Sequence, residues 1–392
     1  MAIRANPRLV EELESYGAQD VNKCYHCGNC SAVCPFSQGP YLFPRKSMRY
    51  LQMGLEQKLM GTLEPWLCYY CGQCSTQCPR GAEPGETMMS LRRWLTSRYD
   101  FTGISRLFYK SWRAELGAIL LVAVLTLVGF AWYGSAVGSL DVYDGAGAFL
   151  PSHAVHRFDW AFASVLVVLL LVNCARMWWF SLGRNKQLHI PLRAYVRQAY
   201  LLPLHFITQR RYRQCGNKRP WAIHMILMAS YVTMLVLIMF FLKHVQGGPG
   251  IDWRAHGFGY AATAGLLGTT LFAVRGRLLK REPHYQHSHE TDWIFLGLLL
   301  YVATTGIVQH VLHRAGLDRA ANITYLVHMM GVVPMLGLEV PFSKWSHLAY
   351  RPLAMYFSVL ETQALEARDG ERSTLPEAVQ RGAPASQPAE AA

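Results

Sequence analysis

From residue 116 onward, apolar residues gather into six long runs separated by short polar breaks: Leu116–Tyr133, Trp160–Phe180, Pro220–Leu242, Gly257–Val274, Trp293–Leu312 and Ala321–Leu338. Each approaches the ~20 residues that cross a bilayer core of about 30 Å as a helix. A buried soluble core shows one or two such runs; six in succession predict a membrane bundle. The fourth is the weakest, being short and rich in Gly, Ala and Thr. The second carries Arg176 near its end, beside Trp178 and Trp179, which suit the interfacial belt. The first third of the chain is patterned differently. Residues 1–20 read as a polar helix, with Glu11, Glu12 and Glu14 exposed. Pro44 to Met60 reads as a second helix, with Pro in its first turn and Met48, Leu51 and Leu55 on one face. Residues 98–114 are basic and aromatic, as a membrane-interface link would be. Residues 361–392 are rich in Ala, Glu, Pro and Gln and predict a disordered tail.

Charge orients the bundle. Residues 181–219 carry nine Lys or Arg and no Asp or Glu, and Arg275, Arg277, Lys280 and Arg281 follow the fourth run. The positive-inside rule puts both loops, and with them both termini, on the cytoplasmic side of the inner membrane. The stretch 189–213 mixes Leu, Tyr and Phe with Arg, and is expected to lie on the membrane surface. The net charge of +13 therefore reads as membrane bias, and no nucleic-acid motif accompanies it.

The cysteines bring in chemistry. Eight of the ten form one pattern written twice, Cys24-x₂-Cys27-x₂-Cys30-x₃-Cys34-Pro35 and Cys68-x₂-Cys71-x₂-Cys74-x₃-Cys78-Pro79. This spacing holds two [4Fe–4S] clusters, the fourth Cys of each run serving the other cluster. The first cluster would take Cys24, Cys27, Cys30 and Cys78; the second Cys68, Cys71, Cys74 and Cys34. Zinc does not need this spacing. A disulfide framework needs an oxidising compartment, and Met1 to Gln19 shows no apolar core of a secretory signal. Cys174 reads as a buried hydrophobe, and Cys215 has no evident partner.

Ionisable groups at membrane depth are costly and usually functional. By depth, His224 pairs with His347 toward the cytoplasmic side, and His310 with His328 toward the outer side. Two bis-histidine b haems would satisfy all four imidazoles. His244 and His313 compete for the outer site, while His284, His287 and His289 read as a solvated cytoplasmic cluster. A quinone site is expected near the outer haem, where His153, His156, Asp252, His256 and Asp318 can exchange protons. Glu339 marks an inner alternative.

The resemblance is carried by particular stretches. Cys24–Pro35, and Trp66-Leu67-Cys68 through Pro79-Arg80, resemble the iron–sulfur subunit of heterodisulfide reductases. Asp292-Trp293, Gly306-Ile307-Val308-Gln309-His310, Tyr325-Leu326-Val327-His328, Pro341-Phe342-Ser343-Lys344 through His347, and Tyr350-Arg351-Pro352-Leu353-Ala354 resemble its cytochrome b subunit, which is related to the gamma subunit of respiratory nitrate reductase. Both in one chain, with Arg80-Gly81-Ala82-Glu83-Pro84-Gly85-Glu86-Thr87-Met88-Met89, are similar to the C subunits of quinone-interacting membrane-bound oxidoreductase (Qmo) complexes. The resemblance covers roughly residues 20 to 360. It implies two [4Fe–4S] clusters, two b haems, and soluble flavin and iron–sulfur partner subunits. It also implies electron exchange between menaquinone or ubiquinone and adenylylsulfate reductase in dissimilatory sulfur metabolism. The nitrate reductase gamma subunit has a second haem histidine ten residues after the position of His224; here that position is Met234.

The expected architecture is mainly α: a two-cluster ferredoxin-type domain (1–97), a basic interfacial link (98–114), a six-helix transmembrane cytochrome b domain (115–360) and a tail (361–392). The expected role is an electron relay. Alternatives are the same relay for a heterodisulfide- or sulfite-linked reductase, and a membrane anchor or transporter carrying a ferredoxin domain. No G-x-G-x-x-G follows a strand, so no flavin or nicotinamide site is expected in this chain.

Overall fold

The computed structural model describes residues 4–137, 152–241, 244 and 253–373. These residues are mainly helical, and no strand occurs among them. The N-terminal part contains α1 (Leu9–Glu14), α2 (Asn29–Ala32), α3 (Arg45–Gln52), α4 (Glu56–Met60), α5 (Glu64–Leu67), α6 (Gln73–Thr76), α7 (Pro84–Tyr99) and α8 (Ile104–Lys110). The helix expected over Pro44–Met60 is two helices. Gly54 breaks it at φ +65°, and a Cβ there would lie 2.3 Å from the Asn6 carbonyl oxygen. The N-terminal segment is laced to that break by the Asn6 N–H, which donates to the Gly54 carbonyl at 2.8 Å. Met48 and Leu51 do share the buried face of α3.

The remainder comprises α9 (Trp112–Val137), α10 (Ser152–Trp178), α11 (Leu192–Gln198), α12 (Leu201–Thr208), α13 (Arg219–Phe240), α14 (Trp253–Leu279), α15 (Glu290–Arg314), α16 (Asp318–Pro334) and α17 (His347–Ser373). Six helical stretches are long and apolar enough to cross a membrane: Trp112–Tyr133, Arg157–Gly183, Arg219–Phe240, Trp253–Leu279, Glu290–Arg314 and Asp318–Phe342. Each coincides with one of the six apolar runs. Their outer faces bear large apolar side chains with no protein against them, such as Leu171, 62% exposed, as hydrocarbon surroundings require. Beyond Pro334 the sixth span loosens into a π-turn, Met335–Glu339, as expected where a proline removes a helix donor.

The cluster domain and the bundle share one core. α17 is the main seam: Tyr350 is fully buried, its ring centre 5.0 Å from Trp66 and 5.4 Å from Tyr99. The chain expected to be a tail from residue 361 is helical to Ser373. Its first turn is held by the Tyr41 hydroxyl, which donates to Glu361 Oε2 at 2.6 Å, and by the buried Leu360. Composition suggested disorder there because it could not show the surface this helix docks against. The 98–114 link is likewise structured, with Phe108 and Tyr109 of α8 buried. Arg176 serves the fold rather than the interface: its guanidinium donates to the Tyr99 and Arg98 carbonyls at 2.7 and 3.0 Å, capping α7 from inside the second span. The stretch 189–213 forms α11 and α12. It packs on α17, where the Tyr356 hydroxyl donates to the Tyr195 carbonyl at 2.8 Å.

Candidate redox sites at the junction of the two parts

The duplicated cysteine pattern folds twice in the same way. His26 and Tyr70 sit at φ +59° and +53°, and Gly28 and Gly72, at φ +87° and +80°, start the short helices α2 and α6. Each loop thereby turns backbone donors onto sulfur: His26 N–H to Cys24 Sγ at 3.4 Å, and Tyr70 N–H to Cys68 Sγ at 3.3 Å. Cys24, Cys27 and Cys30 line one cavity together with Cys78 from the other run. Cys34 stands in the electrostatic field of Cys68 and Cys71, and Cys74 in that of Cys68, Cys71, Cys30 and Cys34. Burial first, then neighbouring thiols, push Cys30 and Cys34 up to about 11, so iron must displace their protons on binding. Among the described residues, no three His, Cys, Asp or Glu converge closely enough for a single metal ion. A four-iron cluster asks for something wider, since each thiolate holds a different iron. All-sulfur donor sets with donors aimed at the sulfurs fit such a group.

Cys215 is not isolated. It is buried beside Cys71, and the thiol–thiol neighbourhood holds the Cys71 thiol down and pushes Cys215 up.

The inner histidine pair is assembled. His224 of α13 and His347 at the start of α17 face each other with ring centres 6.4 Å apart. Two imidazoles on opposite sides of one metal, with bonds of about 2 Å, would place their centres about 6.3 Å apart. His347 Nδ1 meets the Lys344 carbonyl, which leaves Nε2 with its lone pair free. His224 Nδ1 is buried without a hydrogen-bond partner. The enclosed position of His347 pushes its pKa down to about 3, so the ring is neutral, as a ligand must be. Both rings line a cavity with His205, Met228, Arg351 and Tyr69. This donor set and spacing fit a haem iron.

Tyr69 follows Cys68, so the histidine cavity and the second cysteine loop share a wall. Arg351 packs over the Tyr69 ring at 4.0 Å and donates to the Cys68 carbonyl at 3.0 Å. Tyr212 stacks on Tyr69 at 4.7 Å and reaches the His224 ring at 6.2 Å. The stretches that contain these three residues were singled out in the sequence, but their meeting was not legible there; only the fold brings them together.

The outer residues are arranged less simply. His310 meets α14, with its ring 5.3 Å from that of His256 and its Nε2 2.8 Å from the Tyr260 hydroxyl. His328 lies against α15, its Nδ1 3.0 Å from Thr305 Oγ1 and its ring beside Gly306. Asp318 meets His313 at 3.2 Å. His244 is exposed. Asp252 lies outside the described residues, as do the side chains of His153 and His156 at the start of α10. His284, His287 and His289 are not a solvated cluster. His289 caps α15 by accepting from the Thr291 N–H, and His287 meets Glu83 at 3.5 Å.

Residues 20–82 match a family model described as a 4Fe-4S dicluster domain. No match is found among curated proteins or among solved structures. The chain thus joins a dicluster iron–sulfur domain to six helices able to span a membrane, which is consistent with a membrane electron-transfer subunit.

Proposed function

We propose that this chain is the quinone-interacting membrane subunit of a multi-subunit oxidoreductase, relaying single electrons between the quinone pool and soluble flavin and iron–sulfur partners. The observation that carries the reading is the shared wall between the His224–His347 cavity and the Cys68 loop. Cys24, Cys27, Cys30 and Cys78 would hold one [4Fe–4S] cluster, and Cys34, Cys68, Cys71 and Cys74 the other. His224 and His347 would hold the inner b haem, and His328 with His310 the outer one. Bound haem and clusters supply one-electron carriers of tunable potential. The protein's part is to set their spacing. Tyr69, Tyr212 and Arg351 fill the gap between the inner histidines and Cys68 with packed aromatic and guanidinium groups, which excludes water.

The two ends of the bundle then divide the work. The end capped by the cluster domain is cytoplasmic by the loop charges and receives the soluble partners. The opposite end offers His256 and Asp318 to a quinone headgroup. Menaquinone or ubiquinone as substrate, and adenylylsulfate reductase as the final partner, rest on the resemblance of residues 20 to 360. Purified protein should contain about eight cluster irons and two b haems per chain, the content these ligand sets imply. Iron, sulfide and pyridine haemochrome assays check this. Clusters without any haem would instead support an anchor carrying a ferredoxin domain.

A further inference from the structure

We propose that Glu115 and Glu339 form a shared-proton site that takes up one proton when an electron enters the inner haem site; this rests on the relay reading above. Glu115 opens the first span and Glu339 closes the π-turn of the sixth, and both are 0% exposed. The Ser343 hydroxyl donates to Glu115 Oε1 at 2.7 Å. Glu115 Oε2 and both oxygens of Glu339 make no well-formed hydrogen bond, although the Ser343 hydroxyl and the Lys344 N–H stand near Glu339. The two carboxyls are nevertheless close, each being the other's hydrogen-bonding neighbour once one of them carries a proton. Two carboxylates only accept, so a direct hydrogen bond between them requires a proton on one of them.

The surrounding charges fix how many protons the pair holds. Arg93 and Glu86 of α7, Arg277 of α14, Asp292 of α15 and Lys344 make one ion-paired network. Three cations against two carboxylates leave one positive charge. Tyr109 of α8 stands in the field of both glutamates and is uncharged, and burial keeps His289 neutral. One ionised member of the Glu115–Glu339 pair balances the network. A second ionised carboxylate would be a buried charge without a counterion, which costs several kcal/mol. The oxidised state therefore holds one proton between the two groups.

Ser343, which holds Glu115, lies four residues before His347 at the break ahead of the 3-10 turn Lys344–Ser346, and the Lys344 carbonyl meets the His347 ring. An electron arriving from quinol or from the partner adds one negative charge there. The pair answers by binding a second proton: one O–H bond forms on a carboxylate oxygen, and water on the cluster-domain side supplies the proton. Oxidation reverses both transfers. The charges thus stay balanced without any ion moving in the protein interior.

Reduced-minus-oxidised infrared spectra of the holoprotein in membranes test this, with haem content measured on the same samples. A protonated-carboxyl band should appear on reduction and be lost in the Glu115→Gln/Glu339→Gln double variant. The Ser343→Ala variant, which keeps both acids, should retain the band at a higher frequency, since it removes one hydrogen-bond donor. The inner haem potential should fall with pH, toward the limit of about 59 mV per unit for one proton per electron, and this slope should flatten in the double variant. A wild-type spectrum lacking the band, or a double variant retaining it, with haem bound, overturns the shared-proton site and leaves the relay standing. Absence of haem overturns both.

Discussion

His347 is where several forces meet on one side chain. The Lys344 carbonyl fixes its tautomer, and enclosure keeps it neutral. Its ring faces His224 at a separation suited to one metal between them. On the relay proposed above, His347→Ala should remove one b haem while the iron–sulfur content stays unchanged; reduced-minus-oxidised optical spectra and iron analysis check both. Cys215 makes a subtler case. Its thiol stands beside Cys71, positioned to donate once Cys71 is a thiolate, and hydrogen bonds to cluster sulfur raise a cluster's potential. Cys215→Ala should lower the potential of the second cluster and leave the first in place, as followed by redox-poised paramagnetic resonance. The eight cluster cysteines were legible in the sequence because their spacing is a local property. Cys215 was not, because its partner is distant in the chain and neither residue's neighbours hint at the other.

At the scale of elements, the six spans were legible because lipid demands an unbroken apolar run and that demand is written residue by residue. The break between α3 and α4 was not. It depends on Asn6 crossing against Gly54, a contact no periodicity records. The last helix was misjudged for the same reason: α17 is stable beyond residue 360 because it lies on the cluster domain. Leu360→Ala should cost about 2–5 kcal/mol, as for other buried leucines, and should release the end of α17 to protease under conditions where the parent chain resists. Gly72 tests the joint between the cluster loop and the loop before the fifth span. Its φ of +80° disfavours any side chain, and a Cβ there would stand 2.4 Å from Pro283 Cβ. Gly72→Ala should destabilise by at least about 1 kcal/mol and lower the temperature at which the cluster absorbance is lost.

On the scale of the whole molecule, the arrangement places a one-electron domain directly against the buried histidine pair of a membrane bundle. The junction is polar but paired: Arg93, Arg277 and Lys344 gather on Asp292, and Arg351 spans from Tyr69 to Cys68. The meeting of His224 with His347 was legible as two histidines of equal depth. The pair's closeness to the second cysteine loop was not, since depth says nothing about what docks on the membrane face. The outer histidines illustrate the limit of depth alone: His310 meets His256 and Tyr260, while His328 meets Thr305. The central claim is that the inner histidine pair and the second cluster are electronic neighbours. Spin relaxation of the reduced second cluster measures this directly, because a nearby ferric haem shortens it. Relaxation should be markedly faster in the parent protein, poised with that cluster reduced and the inner haem ferric, than in His347→Ala. Equal relaxation in the two, with the parent carrying its full haem content, would contradict it.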